Sequence, residues 1–221
     1  MTILNIFNAV PDPRTAFLLA IAIVSGFLFA IAFHESAHAY VAYRLGDPTA
    51  KMAGRVTLNP FKHLDPIGTV MFFVIGLGWA KPVPINPRFF HKRSDELKVA
   101  FAGIVANIAL AALLAIPLRI ATLQHQVIET SVVLSIIKFW VEINLMLAAF
   151  NLIPIPPLDG SHLLAHFLSE ENKYKYLSIG QYLLLGLILY DVVSGTSIIL
   201  AIMEPILRVL SYLVMGTPIR I

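Results

Sequence analysis

Residues 15–43 read TAFLLAIAIVSGFLFAIAFHESAHAYVAY. This run is longer than the roughly 20 apolar residues a helix needs to cross a bilayer. Set within it are His34, Glu35 and His38, in the order HESAH. Two histidines at i and i+4 lie one turn apart on one helix face, so both imidazoles can reach a single zinc ion. The glutamate between them is placed to take a proton from water at the metal. Ionisable groups inside a spanning helix cost about 2–3 kcal/mol each on insertion scales, so they point to function. The stretch therefore implies metal-dependent hydrolysis of peptide bonds carried out within a membrane.

Composition supports the membrane half of that reading independently. Of the 221 residues, 58% are hydrophobic and 13% charged, and the mean hydropathy is +0.80. A soluble domain carries about 25% charged residues. With no cysteine, thiolate zinc ligands, disulfides and cysteine nucleophiles are excluded. The length is that of one membrane domain spanning 1–221, with a catalytic core over about 15–165 and accessory helices over about 176–214. The first apolar run is too long for a cleavable signal, and cleavage would remove HESAH.

The expected fold is an all-α polytopic membrane protein. Five spans are predicted, over about 15–44, 97–121, 131–152, 176–193 and 197–214. Residues 67–80 differ from these. They are short, punctuated by Gly68, Gly76 and Gly78, and rich in β-branched and aromatic residues (TVMFFVIGLGW). They read as a β-hairpin-like segment dipping into the membrane, whose edge an extended substrate could join by strand addition. Twelve of the sixteen Lys and Arg residues fall in loops 44–66 and 81–98 or flank the later spans on the same side, against Arg14 and Arg119 opposite. The positive-inside rule then puts the N-terminus outside and the HESAH end of its helix towards the cytoplasm. The lack of targeting signals favours a prokaryotic plasma membrane. The basic excess is a topology signal and gives no support to nucleic-acid binding.

A catalytic zinc with two histidines and a water lacks one protein ligand. Asp159, Glu142, Glu204, His63, His162 and His166 are the candidates. Depth favours Asp159, because the span 131–152 returns the chain to the level of His34 and His38. The three prolines of NLIPIPPLDG (151–160) hold it on an extended turn. On spacing alone, Asp159 reads equally well as the cap of a helix starting near Gly160. His162 and His166 also share i, i+4 spacing and read as polar residues of a short helix. Asn107, Asn144 and Glu204 read as polar links between helices, and His63 as a loop residue.

HESAH together with NLIPIPPLDG resembles the site-2 protease family of intramembrane zinc metalloproteases. Segments 54–69 (GRVTLNPFKHLDPIGT), 78–90 (GWAKPVPINPRFF) and 102–108 (AGIVANI) extend the likeness over most of residues 30–165. Ile104 stands where related sequences often carry proline. The chain shows no PDZ-like or CBS-like segment, as in the compact branch of the family. The resemblance implies His34, His38 and Asp159 as ligands of one zinc and Glu35 as general base. It also implies a catalytic part for Asn151, as a donor to the developing oxyanion; the plain alternative for Asn151 is a helix C-cap. Expected substrates are transmembrane proteins cut in or near a membrane segment, in regulated intramembrane proteolysis. A metal transporter, or an inactive homologue serving as a membrane binding module, is the competing reading.

Overall fold

The computed structural model describes residues 12–75, 78–125, 128 and 131–219. It is helical throughout: α1 (Pro13–Arg44), α2 (Thr49–Met52), α3 (Pro66–Ile75), α4 (Arg93–Leu123), α5 (Val132–Asn151), α6 (Ser161–Phe167), α7 (Glu170–Ser194) and α8 (Ile198–Met215), with single 3-10 turns at Pro60–Lys62 and Pro87–Phe89. The five long helices, α1, α4, α5, α7 and α8, are each long and apolar enough to cross a membrane. Two of them begin earlier than the hydropathy predicts. α4 opens on a charged turn in which Asp95 accepts from the Lys92 backbone N–H at 3.1 Å. α7 opens on Glu170 and Glu171 behind the Ser169 cap. These turns are too polar to count as span and continue the helices into water.

α1, α4 and α5 form the centre, with α8 against α4 and α5, and α7 further out. Helices in lipid gain nothing from burying leucine against leucine, so small residues that allow close approach dominate the contacts. Ala30, Ala32, Ala39, Ala111, Ala115 and Ala148 are fully buried. Gly26 lies under Trp140, whose indole N–H donates to Ala22 O at 2.9 Å. Ala111 and Ala115 continue into an apolar cluster with Leu118, Leu145, Ile153, Leu158, Met203 and Leu207, which fastens the segment after α5 to α8.

The β-hairpin expected over 67–80 is not what forms. Residues 66–75 are helical, and the described residues contain no strand, only one isolated antiparallel bridge between Leu64 and Ala80. Gly76 and Leu77 lie outside the described residues. The Asp65 carboxylate accepts the Gly68 N–H at 2.8 Å, and Pro66 supplies a preset φ for the first helical position. In apolar surroundings a helix satisfies its own backbone, whereas a two-stranded hairpin leaves its outer edges unpaired. That requirement outweighs the weak strand preference of Val, Ile and Phe. α3 therefore offers no strand edge to a substrate. Glu204 also departs from expectation: it pairs with Arg208 one turn along α8, at 2.6 Å on an exposed face, and links no two helices.

Candidate metal centre

His34 and His38 face α4 from the C-terminal half of α1, and both are buried. Their rings meet edge to face with centroids 4.6 Å apart. His34 Nδ1 lies 2.7 Å from Asn107 Oδ1, and His38 Nδ1 lies 2.7 Å from the carbonyl oxygen of Val99. Both partners are acceptors, so each Nδ1 is the protonated nitrogen and each Nε2 presents a lone pair. Asn107 is oriented in turn, since its amide nitrogen donates to Ala30 O at 3.0 Å and to Asn144 Oδ1 at 2.8 Å. Asn144 donates to Trp140 O at 2.8 Å. The two asparagines do link helices, and Asn107 also fixes a histidine tautomer.

Asp159 arrives from the far side of the centre. After α5 the chain folds back through 153–158, and the Gly160 N–H donates to Asn151 O at 2.6 Å. Gly160 is required by this close approach, because a Cβ there would stand 2.6 Å from the Leu152 carbonyl carbon. The turn aims the Asp159 carboxylate at α1. Oδ2 lies 3.1 Å from His34 Nε2 and 3.2 Å from His38 Nε2, and the two Nε2 atoms are 3.0 Å apart. Asp159 does not cap α6, whose first turn receives no side-chain hydrogen bond.

This donor set fits zinc. A tetrahedral zinc with ligand distances of about 2.0–2.1 Å has donor-to-donor edges of about 3.3 Å. Asp159 Oδ2 is buried and has no aligned hydrogen bond. Two imidazole lone pairs and a carboxylate oxygen at such distances repel one another unless a cation sits among them. Gly103 on α4 completes the cradle: a Cβ there would come within 2.6 Å of His34 Cε1 and nearer still to His38 Nε2. Among the described residues, His34, His38 and Asp159 are the one group able to hold a metal. Glu142, Glu204, His63, His162 and His166 do not join it.

Glu35 stands in the same turn of α1 as both histidines, its side chain 14% exposed, with Oε2 3.9 Å from Arg55 Nη2. Asn151 turns its amide back along α5, donating to Leu147 O at 2.9 Å. His63, expected to be an ordinary loop residue, is fully buried. Its Nε2 donates to Thr57 O at 2.8 Å, and Arg55 Nη2 lies 3.4 Å from Nδ1. Burial pushes the His63 imidazole below its ordinary pKa. The sequence reading missed the roles of Gly103, Val99, Arg55 and His63 around the centre. The one available signal was the i, i+4 spacing of Gly103 and Asn107, which puts a gap and a hydrogen-bond acceptor on one face of α4.

A profile of Peptidase family M50 matches residues 114–189. The chain is 38% identical over 179 residues to YwhC of Bacillus subtilis, named as a candidate zinc metalloprotease, covering 79% of this chain and 80% of that protein. It is 29% identical over 174 residues to Rip2 of Mycobacterium tuberculosis, named likewise, covering 76% of this chain and 65% of that protein. Zinc metalloprotease MJ0392 of Methanocaldococcus jannaschii is 27% identical over 179 residues, which make up 78% of this chain and 43% of that protein. No solved structure gives a significant match. Identity at this level over four-fifths of a relative, joined to five membrane-length helices, makes the chain an integral membrane protein of peptidase family M50, the site-2 protease family of zinc metalloproteases.

Proposed function

We propose that this protein hydrolyses peptide bonds in or near the transmembrane segments of membrane proteins, with Glu35 as general base. The observation that carries the reading is the convergence of His34 Nε2, His38 Nε2 and Asp159 Oδ2 within 3.0–3.2 Å of one another, with Glu35 in the same turn of α1 as both histidines. Zinc held by these three residues would supply Lewis-acid polarisation of the scissile carbonyl and acidification of water. Glu35 accepts the water proton and passes it to the leaving amine. The Asn151 amide, released from Leu147 O, donates to the oxyanion. Asn107 and Val99 keep the two imidazoles neutral at Nε2 and fixed in orientation.

A transmembrane helix hides its peptide bonds in i to i−4 hydrogen bonds, so the substrate unwinds locally before attack. Cleavage so placed would release a membrane-tethered or cytosolic regulator, the outcome of regulated intramembrane proteolysis. The positive-inside count supports an N-terminus outside a prokaryotic plasma membrane and an active site opening to the cytoplasm.

The deciding experiment uses purified protein in detergent, a transmembrane-fused substrate, and arms with and without chelator. Wild type should cleave, and chelation should stop it. Glu35→Gln should retain zinc and give no product, because the substitution removes a proton acceptor and leaves the ligands untouched. Cleavage at the wild-type rate by Glu35→Gln would remove Glu35 from the base role. A wild-type protein inert towards every transmembrane substrate would favour a binding module.

A further inference from the structure

We propose that Arg55 is a positioning residue for Glu35, a guanidinium built into the loop after α1 to hold the base's carboxylate in place; this rests on the reading of Glu35 as base. Arg55 enters the interior from the end of α2. Gly54 takes a left-handed φ of +67°, and the Arg55 N–H returns to Ala50 O at 2.9 Å, so the chain reverses and the side chain turns inward. Arg55 is only 4% exposed.

Its hydrogen-bond acceptors are all neutral. Nη1 donates to Pro82 O at 3.0 Å, Nη2 donates to Lys81 O at 2.5 Å, and the same Nη2 lies 3.4 Å from His63 Nδ1. His63 uses its Nε2 proton on Thr57 O, which leaves Nδ1 as the acceptor facing Arg55. Carbonyls and an imidazole satisfy hydrogen bonds but do not neutralise a buried cation. Among the described residues the one carboxylate in ion-pair range is Glu35, with Oε2 at 3.9 Å from Nη2. Arg55 Nε is buried without a hydrogen-bond partner, so the neutral acceptors do not satisfy the whole guanidinium either.

The distance decides the role. At 3.9 Å the contact is too long for a hydrogen bond, yet the charges still interact strongly away from water. Arg55 therefore restrains the carboxylate without occupying its lone pairs, which stay available to accept a proton. A direct bidentate fork would hold Glu35 more tightly and compete with the proton. Through Arg55 the position of the base also depends on the three loop segments at 55–57, 63 and 81–82.

The test uses the full chain in detergent with zinc bound, as Arg55→Gln and Arg55→Lys, and reads zinc per chain, unfolding midpoint, KM and kcat. Arg55→Gln should keep zinc, midpoint and KM within about twofold and lose kcat by a factor on the order of 10–100. Arg55→Lys, with a compact charge but no planar fork, should fall between it and wild type. Wild-type kcat in either variant overturns the proposal, as does a kcat loss that tracks loss of zinc or of folding in both. Should Arg55→Gln fail to fold, Arg55→Lys decides alone: reduced kcat at unchanged zinc and KM supports the proposal. Glu35→Gln run in parallel separates the two levels. If it cleaves at the wild-type rate, the base assignment falls and Arg55 with it. If it is inert while the Arg55 variants turn over normally, only the positioning role falls.

Discussion

His34 and Asn107 are 73 positions apart in sequence, and the 2.7 Å bond between Nδ1 and Oδ1 determines which imidazole nitrogen faces Asp159. The Asn107 amide cannot reverse without losing Ala30 O and Asn144 Oδ1 as acceptors, so the tautomer of His34 is set by helix packing. Outer-shell partners of this kind are worth about 10–100-fold in metal affinity. Asn107→Ala should therefore weaken zinc binding by that factor, read by competition with a chelating dye. Affinity equal to wild type would mean that the ring orientation is held by packing alone.

Gly103→Ala addresses the same centre from one turn earlier on the same face of α4. A methyl group at that position would stand 2.6–2.7 Å from His34 Cε1 and Nδ1, well inside van der Waals contact. Either α4 backs away from α1 or the imidazoles tilt away from Asp159. The expected result is a loss of at least about tenfold in zinc affinity, with the helical content by circular dichroism unchanged. A variant that bound zinc normally would show that α4 can retreat without disturbing the ligands.

The parts of this site that the sequence revealed are those that one-dimensional geometry controls. His34 and His38 follow from helical periodicity. Depth only favours Asp159, because the span ending at Asn151 must return the chain to the level of the histidines, and the resemblance of NLIPIPPLDG to the family motif is what singles it out over a helix cap. The features it hid depend on register between distant elements. AGIVANI shows a glycine and an asparagine one turn apart, but only the packing of α4 on α1 turns them into a cradle and a tautomer lock. Arg55 was legible as positive charge in a loop and not as a buried cation, since burial is decided by carbonyls at Lys81 and Pro82. The hairpin expectation failed for a different reason. Strand-favouring composition over 67–80 points to a hairpin, but a short segment in apolar surroundings is governed by backbone satisfaction, and the Asp65 cap with Pro66 starts a helix there. The Asn151 side chain donates within its own helix, so its proposed catalytic part requires a rotamer change on substrate binding.

The proposed orientation rests on the charge count and can be read in cells. Reporter fusions at Asp95 should score as cytoplasmic and fusions at Gln124 as external, because loops 44–66 and 81–98 carry nine of the sixteen Lys and Arg residues. The opposite pattern would place HESAH towards the outer face and overturn the proposed opening of the active site to the cytoplasm.

Metal removal should be visible in stability, independently of any substrate. A ligand that binds only the native state contributes about 2.7 kcal/mol at a concentration a hundred times its dissociation constant. For a chain of this size that corresponds to roughly 5–10 °C in unfolding midpoint. Treating the zinc-loaded protein with a chelator should lower the midpoint by that amount, as the Nε2 atoms and Asp159 Oδ2, 3.0–3.2 Å apart, lose the cation between them. Added Zn²⁺ should restore it. Ca²⁺ should not, because calcium takes six to eight oxygen ligands and these donors are two nitrogens and one carboxylate. His38→Ala should start from a lower midpoint and show no response to chelator, since one imidazole and a carboxylate leave the metal one protein ligand short of a catalytic site. A wild-type midpoint indifferent to chelator would mean that the centre does not hold zinc in the folded protein, and the donor set would then need another cation.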